Sequence, residues 1–337
     1  MTTTDFAELH DDLRAVAADV LSRGRVVDWS TMANAGWVGL EVPEAFGGAG
    51  ATFAEVAVVC EELGRAAAAT DYLGSAVLTV GVLNTLQDSV VRDNLLTDVA
   101  AGTTRVATVM GDFTLAADGR LSGRADFVPD ADGADRLLVL ATDHTGAQVA
   151  VATDLLTVTA QPVLDQTRRV ATVTAAGVLV SEPLRFIGNP RSVQHRAAVT
   201  VACDSLGLAE AMLAATVSYA QTRHQFGRPI GSFQAVKHAC ADMLVTVSVA
   251  RALVREAIDA VAAGAAPEAS EADVAVAMAK SYACGAAVEV VGKALQLHGG
   301  IGYTWESGIH VYLKRAVFNR SLFGSPAAHR QHLAQRY

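Results

Sequence analysis

The segment from Arg223 to Lys237 reads RHQFGRPIGSFQAVK and joins two long apolar stretches of helical periodicity. It carries three cations, and the two glycines and the proline between them predict a fixed, exposed bend. Phe226 and Phe233 add two aromatic rings that a solvated linker would not need. A loop with cations, backbone N–H groups and aromatic rings suits a ligand that is anionic at one end and flat at the other. The alternative is a plain helix–helix turn with a surface arginine.

The sequence on both sides of this bend predicts a bundle of helices. Apolar residues at helical spacing, together with capping residues, glycine stops and an N-terminal proline, define these helices. They are expected over residues 192–222, 233–262, about 270–297 and 307–321, with a last helix beginning at Pro326.

The first part of the chain predicts a separate helical domain followed by a small β domain. Residues 5–100 show amphipathic and fully apolar helical segments. Over residues 105–186 the pattern changes to short alternating or β-branched runs, separated by turns such as Asp118-Gly119. We therefore expect an α+β, mainly α protein with a helical domain at 1–104, an antiparallel β domain at 105–188 and a helical bundle at 189–337.

Composition narrows the class of function. The chain has 337 residues, is 51% hydrophobic and 18% charged, and has a net charge of −9. Residues 191–337 hold 14 Lys+Arg against 10 Asp+Glu, whereas residues 1–190 hold 12 against 25, so the C-terminal part is the better host for an anionic ligand. The chain is acidic and has no basic run, which argues against nucleic acid as a partner.

Cysteine usage and hydropathy indicate a cytoplasmic protein. The four cysteines form no Cys-x-x-Cys pair, which predicts no metal site, and all lie in apolar helical patterns typical of buried thiols in a reducing compartment. The N-terminus lacks the basic and apolar regions of a signal peptide. No run of about eighteen uninterrupted apolar residues occurs, so we expect no membrane span.

A second motif, QLHGGIGY, runs from Gln296 to Tyr303. Three glycines in four positions after a helix let another backbone or a ligand approach closely. The plainer interpretation is a helix stop followed by a turn.

Together the two motifs resemble the acyl-CoA dehydrogenase family, which has an Arg-x-x-Phe-Gly segment and a Gln-x-x-Gly-Gly-x-Gly-Tyr element. The resemblance covers most of the chain and includes the order of the domains, which is helical, then β, then helical bundle. It is strongest from Ala202 to Arg330. It implies FAD bound at a subunit interface, an acyl-CoA substrate and an electron-transfer flavoprotein as acceptor. The FAD contacts that it implies are Arg223, Phe226, Gln234, Gln296, Gly299, Gly300 and Ser325.

The implied reaction needs a carboxylate. Dehydrogenating an acyl thioester removes an α-proton and a β-hydride; flavin N5 takes the hydride, and a positioned base takes the weakly acidic proton. At the two positions where family members place a Glu, this chain has Phe323 and Ala197, and neither can accept a proton. The chain therefore resembles an atypical branch of the family.

Asp204 is the candidate base. It lies seven residues after Ala197, on about the same helix face and roughly 10 Å further along, in the apolar stretch VTVACDSLGLAEAM. A carboxylate in such a place is costly unless it is paired or functional. The alternative is a structural ion pair with a bundle cation. The sequence offers Arg196, Lys280 and Lys293 as such cations. Glu306 is the other candidate base, and we expect it to be a structural carboxylate.

A rival interpretation is a non-catalytic partner. Family members have a Thr-Glu-Pro…Gly-Ser-Asp segment that touches the flavin ring, and this chain has ATVMGDFTLAADGRLSG there. The missing segment and Phe323 favour a subunit that completes the FAD site of a heteromeric acyl-CoA dehydrogenase, while Asp204 opposes this interpretation. We expect either a homodimer or homotetramer, or a hetero-oligomer with a second acyl-CoA dehydrogenase subunit. A related flavin monooxygenase or nitroalkane oxidase, in which an Asp also serves as base, is a third and weaker alternative.

Overall fold

The computed structural model of the protein describes residues 3–263 and 269–336, and helices predominate in both ranges. The helices are α1 (Thr3–Ser22), α2 (Trp29–Asn34), α3 (Phe53–Arg65), α4 (Thr79–Leu83), α5 (Val90–Ala100), α6 (Arg191–Thr222), α7 (Gln234–Ala262), α8 (Ala269–His298), α9 (Ile309–Ser321) and α10 (Pro326–Ala334). A π-helical segment, Leu73–Leu78, leads directly into α4. The predicted bundle helices are present within two residues of their expected ends.

The strands lie in the middle of the chain, apart from one short hairpin. They are β1 (Val106–Val109), β2 (Asp112–Leu115), β3 (Arg120–Pro129), β4 (Arg136–Asp143), β5 (Gln148–Thr153), β6 (Thr157–Ala160), β7 (Val170–Leu179), β8 (Leu184–Arg185), β9 (His224–Gln225) and β10 (Arg228–Pro229). The first eight form one sheet in the order β6-β7-β3-β2-β4-β5-β8, with β1 beside β4. The sheet is mainly antiparallel, as expected, but β4 pairs in parallel with β1 and β2.

The chain divides into two compact units. The first comprises residues 1–25, 57–68 and 198–337, and the second comprises residues 26–56 and 69–197. The second unit thus joins helical segments from before the sheet to the sheet itself, whereas the sequence analysis kept them as separate domains. The three-domain division stays a prediction.

In the second unit, both faces of strand β4 are buried. Leu137, Val139 and Ala141 join a core formed by the sheet strands, while Leu138 faces a second core built largely by α4 and α5. A strand covered on both sides needs apolar residues at successive positions, which is why its sequence RLLVLA does not alternate.

In the first unit, α3 and α6 cross with their backbones in close approach. A Cβ atom on Gly64 would lie 2.1 Å from the carbonyl oxygen of Asp204, and a Cβ atom on Gly207 would lie 2.0 Å from that of Glu61. Only glycine permits this approach. The crossing fixes the part of α6 that carries Asp204.

Two helical stretches among the described residues, Arg191–Thr222 and Glu271–Tyr303, are long and apolar enough to cross a membrane. Most of the apolar window in each is buried inside the protein, however, and a core helix passes the same test. Three of the predicted buried thiols, Cys60, Cys203 and Cys284, are buried, and Cys240 is half-buried.

Candidate functional site

The segment quoted first folds as a two-residue β-hairpin. Strands β9 and β10 pair in antiparallel fashion, and the turn between them consists of Phe226 (φ 54°) and Gly227 (φ 79°). Positive φ at both central residues is the geometry of a type I′ turn, which matches the twist of the flanking strands. The hairpin leaves 90% of the Phe226 side chain exposed. The predicted exposed bend is therefore present.

The aromatic and cationic side chains of the hairpin are ordered by one another. The Phe226 and Phe233 rings meet edge to face with centroids 6.0 Å apart, and the Arg228 guanidinium lies 4.2 Å from the Phe233 centroid. Arg223 is exposed, and it has no ion-pair partner in the part of the chain that the structure describes. Arg223 thus has a guanidinium available to an anion, whereas Arg228 is engaged by a ring.

The second motif ends α8 and turns outward. Gly299 has φ 63°, and residues Gly299–Tyr303 form a short 3₁₀ turn. A Cβ atom on Gly299 or Gly300 would have no heavy atom within 4 Å, so the backbone there is open to an incoming ligand. Gly302 is required for packing, because a Cβ atom added to it would lie 2.8 Å from the carbonyl oxygen of Leu295.

The structure brings the two motifs together. Tyr219, one turn before Arg223, stacks on His298 with ring centroids 4.3 Å apart, and its hydroxyl donates to the His298 carbonyl at 3.4 Å. This contact places the ends of α6 and α8 side by side. Gln234 and Gln296, also expected at the FAD site, are exposed at the start of α7 and near the end of α8. No signal in the sequence singles out Tyr219, because an aromatic residue at helical spacing is more often part of a core.

Asp204 lies in the interior and is ion-paired. Its carboxylate accepts hydrogen bonds from Arg315 Nε at 2.9 Å and Nη2 at 2.6 Å, and from Asn319 Nδ2 at 3.0 Å. Arg315 and Asn319 are one turn apart on α9, and the remaining Arg315 nitrogen, Nη1, donates to the Ala68 carbonyl. Asp204 is 2% exposed and Arg315 is fully buried.

These contacts match the structural alternative for Asp204, with a partner that the sequence analysis did not name. Arg196 pairs instead with Glu41 through Nη2–Oε1 at 2.6 Å, and Lys280 donates to backbone carbonyls. Lys293 is half-buried on α8, and Glu306 is exposed. Arg315 lies 111 residues from Asp204, so no local pattern connects the two residues.

The loop Leu322–Ser325 occupies the place where the family resemblance put a Glu. Phe323 is half-buried with φ 55°, and His329 Nε2 lies 3.0 Å from its carbonyl oxygen. Ser325 is exposed and caps α10, since its hydroxyl oxygen accepts from Ala328 N at 3.2 Å.

In the sheet, Thr108 belongs to the stretch that stands in place of the flavin-contacting segment, and its side chain is turned inward. Thr108 of β1 is fully buried, and its hydroxyl lies 3.0 Å from the hydroxyl of Thr79. A side chain held in this way is not available to a ligand.

A second group of charges, missed by the sequence analysis, joins α3, α6 and α7. Glu210 is 8% exposed and accepts from Arg65 Nη2 and from Arg251 Nε, the latter at 2.8 Å. Burial, and next the negative charge of Glu210, raises the pKa of Glu61 to about 7. An open cavity of about 470 Å³ beside these residues is lined by Leu213, Ala214, Val217 and Val247 and by the two arginines.

Comparison with known proteins identifies the family. The model of the acyl-CoA dehydrogenase N-terminal domain matches residues 2–103, and that of the C-terminal domain matches residues 192–337. Acyl-CoA dehydrogenase IpdE2 of Mycolicibacterium smegmatis is 36% identical over 291 residues, which are 86% of this chain and 81% of that protein.

Two solved structures are similar over nearly the whole chain. The ChsE4-ChsE5 complex from Mycobacterium tuberculosis is 25% identical, with a TM-score of 0.87 over 99% of this chain and 97% of that chain. The Tcur3481-Tcur3483 steroid ACAD, a G363A variant, is 28% identical, with a TM-score of 0.86 over 98% of this chain and 97% of that chain. Both the family and the fold class predicted from the sequence are confirmed. The chain belongs to the acyl-CoA dehydrogenase family, whose members are FAD-dependent enzymes.

Proposed function

We propose that this chain is one subunit of a hetero-oligomeric acyl-CoA dehydrogenase that oxidises the Cα–Cβ bond of an acyl-CoA thioester. In this proposal the chain contributes the Arg223 hairpin and the Gly299–Gly300 turn to an FAD site, and a carboxylate of another subunit removes the α-proton. The observation that carries the proposal is the buried ion pair between Asp204 and Arg315.

The ion pair makes Asp204 a poor base. A guanidinium at hydrogen-bond distance stabilises the ionised carboxylate, and both carboxylate oxygens already accept hydrogen bonds. To accept an α-proton, Asp204 would have to leave Arg315 and strand a buried positive charge, which is strongly unfavourable. With Phe323 and Ala197 at the two other positions, the base is better sought on a partner.

The end of the bundle fits FAD. The exposed guanidinium of Arg223 can form a bidentate contact with a diphosphate, and the Phe226 ring offers a face for a flat group. The open backbone at Gly299 and Gly300 leaves room for phosphate oxygens. When bound, FAD supplies the hydride acceptor for the β-carbon.

Exposed apolar side chains support a partner subunit. Phe226 is 90% exposed, Trp305 75% and Tyr303 74%, and α7 presents Leu244 and Val245 at 53% and 64%. Large aromatic residues are enriched in the cores of protein–protein interfaces relative to the rest of a protein surface. The three most exposed aromatic residues among those described, Phe226, Trp305 and Tyr303, lie on the hairpin and just after α8, which suits a subunit interface that encloses the cofactor.

The relatives support both the assembly and the substrate class. One solved relative is described as a complex of two different chains and another as a steroid acyl-CoA dehydrogenase. We extend this to a bulky, ring-bearing acyl group for the present chain, with an electron-transfer flavoprotein as the electron acceptor.

The proposal is tested by purifying the chain alone and together with a co-expressed second acyl-CoA dehydrogenase subunit. We expect visible flavin absorbance only in the co-purified complex, and bleaching of that absorbance when an acyl-CoA is added anaerobically. A chain that is yellow, homo-oligomeric and bleached by acyl-CoA without a partner would contradict the proposal.

The role of Asp204 as base stays a prediction that the same assay tests. Asp204→Asn in the complex removes the carboxylate but keeps its shape, and we expect lower stability together with turnover in the fraction that folds. Complete loss of turnover in a normally folded, flavin-loaded variant would instead identify Asp204 as the base.

A further inference from the structure

Lys280 of α8 is a buried cation with an unusual set of partners. It is 0% exposed, and its Nζ donates to the carbonyl oxygens of Asn319 at 3.0 Å and Gly324 at 2.9 Å. Within residues 3–263 and 269–336 it forms no ion pair with a carboxylate. Burial lowers the pKa of this lysine, which reflects the cost of removing an ammonium from water. A charge kept at this cost needs a reason.

The two acceptors lie at the end of α9 and in the loop that follows it. Asn319 is in the last turn of α9, where carbonyl oxygens have no partner within the helix and the helix dipole favours a cation. Gly324 lies three residues beyond that helix end. Through these two hydrogen bonds, Lys280 connects the end of α9 to the loop that follows it.

The loop has a conformation that the chain would not adopt without support. Phe323 and Gly324 have φ values of 55° and 97°, and a left-handed conformation at a residue with a side chain costs about 1 kcal/mol. A Cβ atom on Gly324 would lie 2.8 Å from His329 Nε2, so the loop is confined from that side as well. Ser325, which follows directly, caps α10.

We infer that Lys280 is a positioning residue whose ammonium holds the loop Leu322–Ser325 in the conformation that presents Ser325 to FAD. The inference rests on the proposed FAD site and on Ser325, which the family resemblance implies as one of the FAD contacts. It assigns a functional purpose to a side chain that is too deeply buried to contact the cofactor itself.

The test compares Lys280→Met, which keeps the length and loses the donors, with Lys280→Arg, which keeps a buried cationic donor. Lys293→Met, on the same helix but half-buried, is the matched control. Each variant is co-purified with the partner subunit. Two quantities are measured: the dissociation constant of FAD, and amide hydrogen exchange in the flavin-free protein over residues 322–329.

We expect Lys280→Met to speed exchange in this loop and to weaken FAD binding about tenfold, the equivalent of one lost charge-assisted hydrogen bond. Lys280→Arg should restore both quantities, and Lys293→Met should change neither. A structural role alone would lower the melting temperature without this rescue of FAD affinity.

Unchanged hydrogen exchange in Lys280→Met would show that Lys280 does not hold the loop. Faster exchange with unchanged FAD affinity would show that the loop conformation does not matter for FAD binding. If Lys280→Met does not fold, Lys280→Gln, which keeps an N–H donor at shorter reach, is compared in the same way with Lys280→Arg. Failure of the proposed function would be distinguishable, because it would show as flavin binding and turnover by the chain alone.

Discussion

Charged side chains are buried and paired in the interior of the bundle, whereas a charged side chain is exposed at its end. Inside, the Asp204 carboxylate and the Arg315 guanidinium neutralise each other at 2.6 Å with almost no exposure. At the end, Arg223 is exposed at the base of the hairpin, and Phe226 in the turn of the same hairpin is almost entirely in solvent. A buried charge must find its partner within the chain, whereas an exposed cation next to an exposed ring can bind a partner from outside.

The contrast locates the chemistry. An acidic residue in an apolar helix is costly unless it is paired or functional, and a cation from a distant helix provides the pairing for Asp204. Within the described residues, Arg223 has no ion-pair partner and the backbone at Gly299 and Gly300 faces open space, so these are the better candidates for function.

The largest expected effect comes from breaking the interior pair. Arg315→Met leaves the Asp204 carboxylate buried without its cation, and we expect a loss of about 3–5 kcal/mol in the free energy of unfolding. Denaturant titration measures it. The double variant Asp204→Asn, Arg315→Met removes both charges and should regain most of the loss. A loss below about 1 kcal/mol in the single variant would show that the interior pair is not what stabilises this part of the bundle.

The second effect concerns Glu61, a half-buried carboxyl group whose pKa of about 7 lies above the ordinary value of 4.5. The folded state therefore binds more protons than the unfolded state between these values, and stability falls as the pH rises through that range. The range ends at the folded-state pKa and the side chain is partly exposed to solvent, so we expect a decline of about 2 kcal/mol rather than the full value of the shift. Unfolding free energies measured from pH 4.5 to 7 test this.

Glu61→Gln is the control for that pH series. The amide does not titrate, so most of the decline in stability should disappear. An equally steep decline in the variant would assign the pH dependence to another group.

The third effect concerns the end of the bundle. Arg223→Ala removes the exposed guanidinium, and we expect FAD binding to weaken about tenfold or more, since a charge-assisted contact is lost. The free energy of unfolding should change by less than about 0.5 kcal/mol, as is usual for an exposed residue. Arg255→Ala, at an exposed position of α7, is the control and should leave FAD affinity intact. Equal losses of FAD affinity in the two variants would show that FAD binding does not depend on Arg223 in particular.

The smallest effect separates two glycines of the same turn. Gly300→Ala adds a methyl group into open space, so we expect unchanged stability and a few-fold weaker binding of FAD. Gly302→Ala places its methyl group 2.8 Å from the Leu295 carbonyl oxygen and should destabilise the fold by about 1–3 kcal/mol. The opposite pattern would mean that Gly300 is required for packing rather than for the cofactor.

Local signals in the sequence were enough to predict the helices and the bend. Apolar periodicity and start signals such as Pro326 gave helix ends within two residues, and the predicted Asp118-Gly119 turn directly precedes β3. Strands β2, β6 and β8 were not predicted, because they are only two to four residues long and β8 is polar at one of its two positions.

The missed features of the site depend on contacts between residues far apart in the chain. Asp204 and Arg315 come from helices α6 and α9, and the stack of Tyr219 on His298 joins α6 to α8. The sequence shows that a carboxylate lies on an apolar face, but it does not show which of several cations the packing will bring to it. The fold decides this by the close crossing of helices.

The left-handed Phe226 has a consequence for stability. Asn-Gly is the dipeptide that a two-residue hairpin of this type prefers, and an aromatic residue in the first position of the turn is conformationally unfavourable. Phe226→Asn should therefore raise the free energy of unfolding and weaken the binding of FAD. In the proposed site, this ring costs the hairpin stability that an asparagine would restore, so cofactor binding rather than folding accounts for its presence.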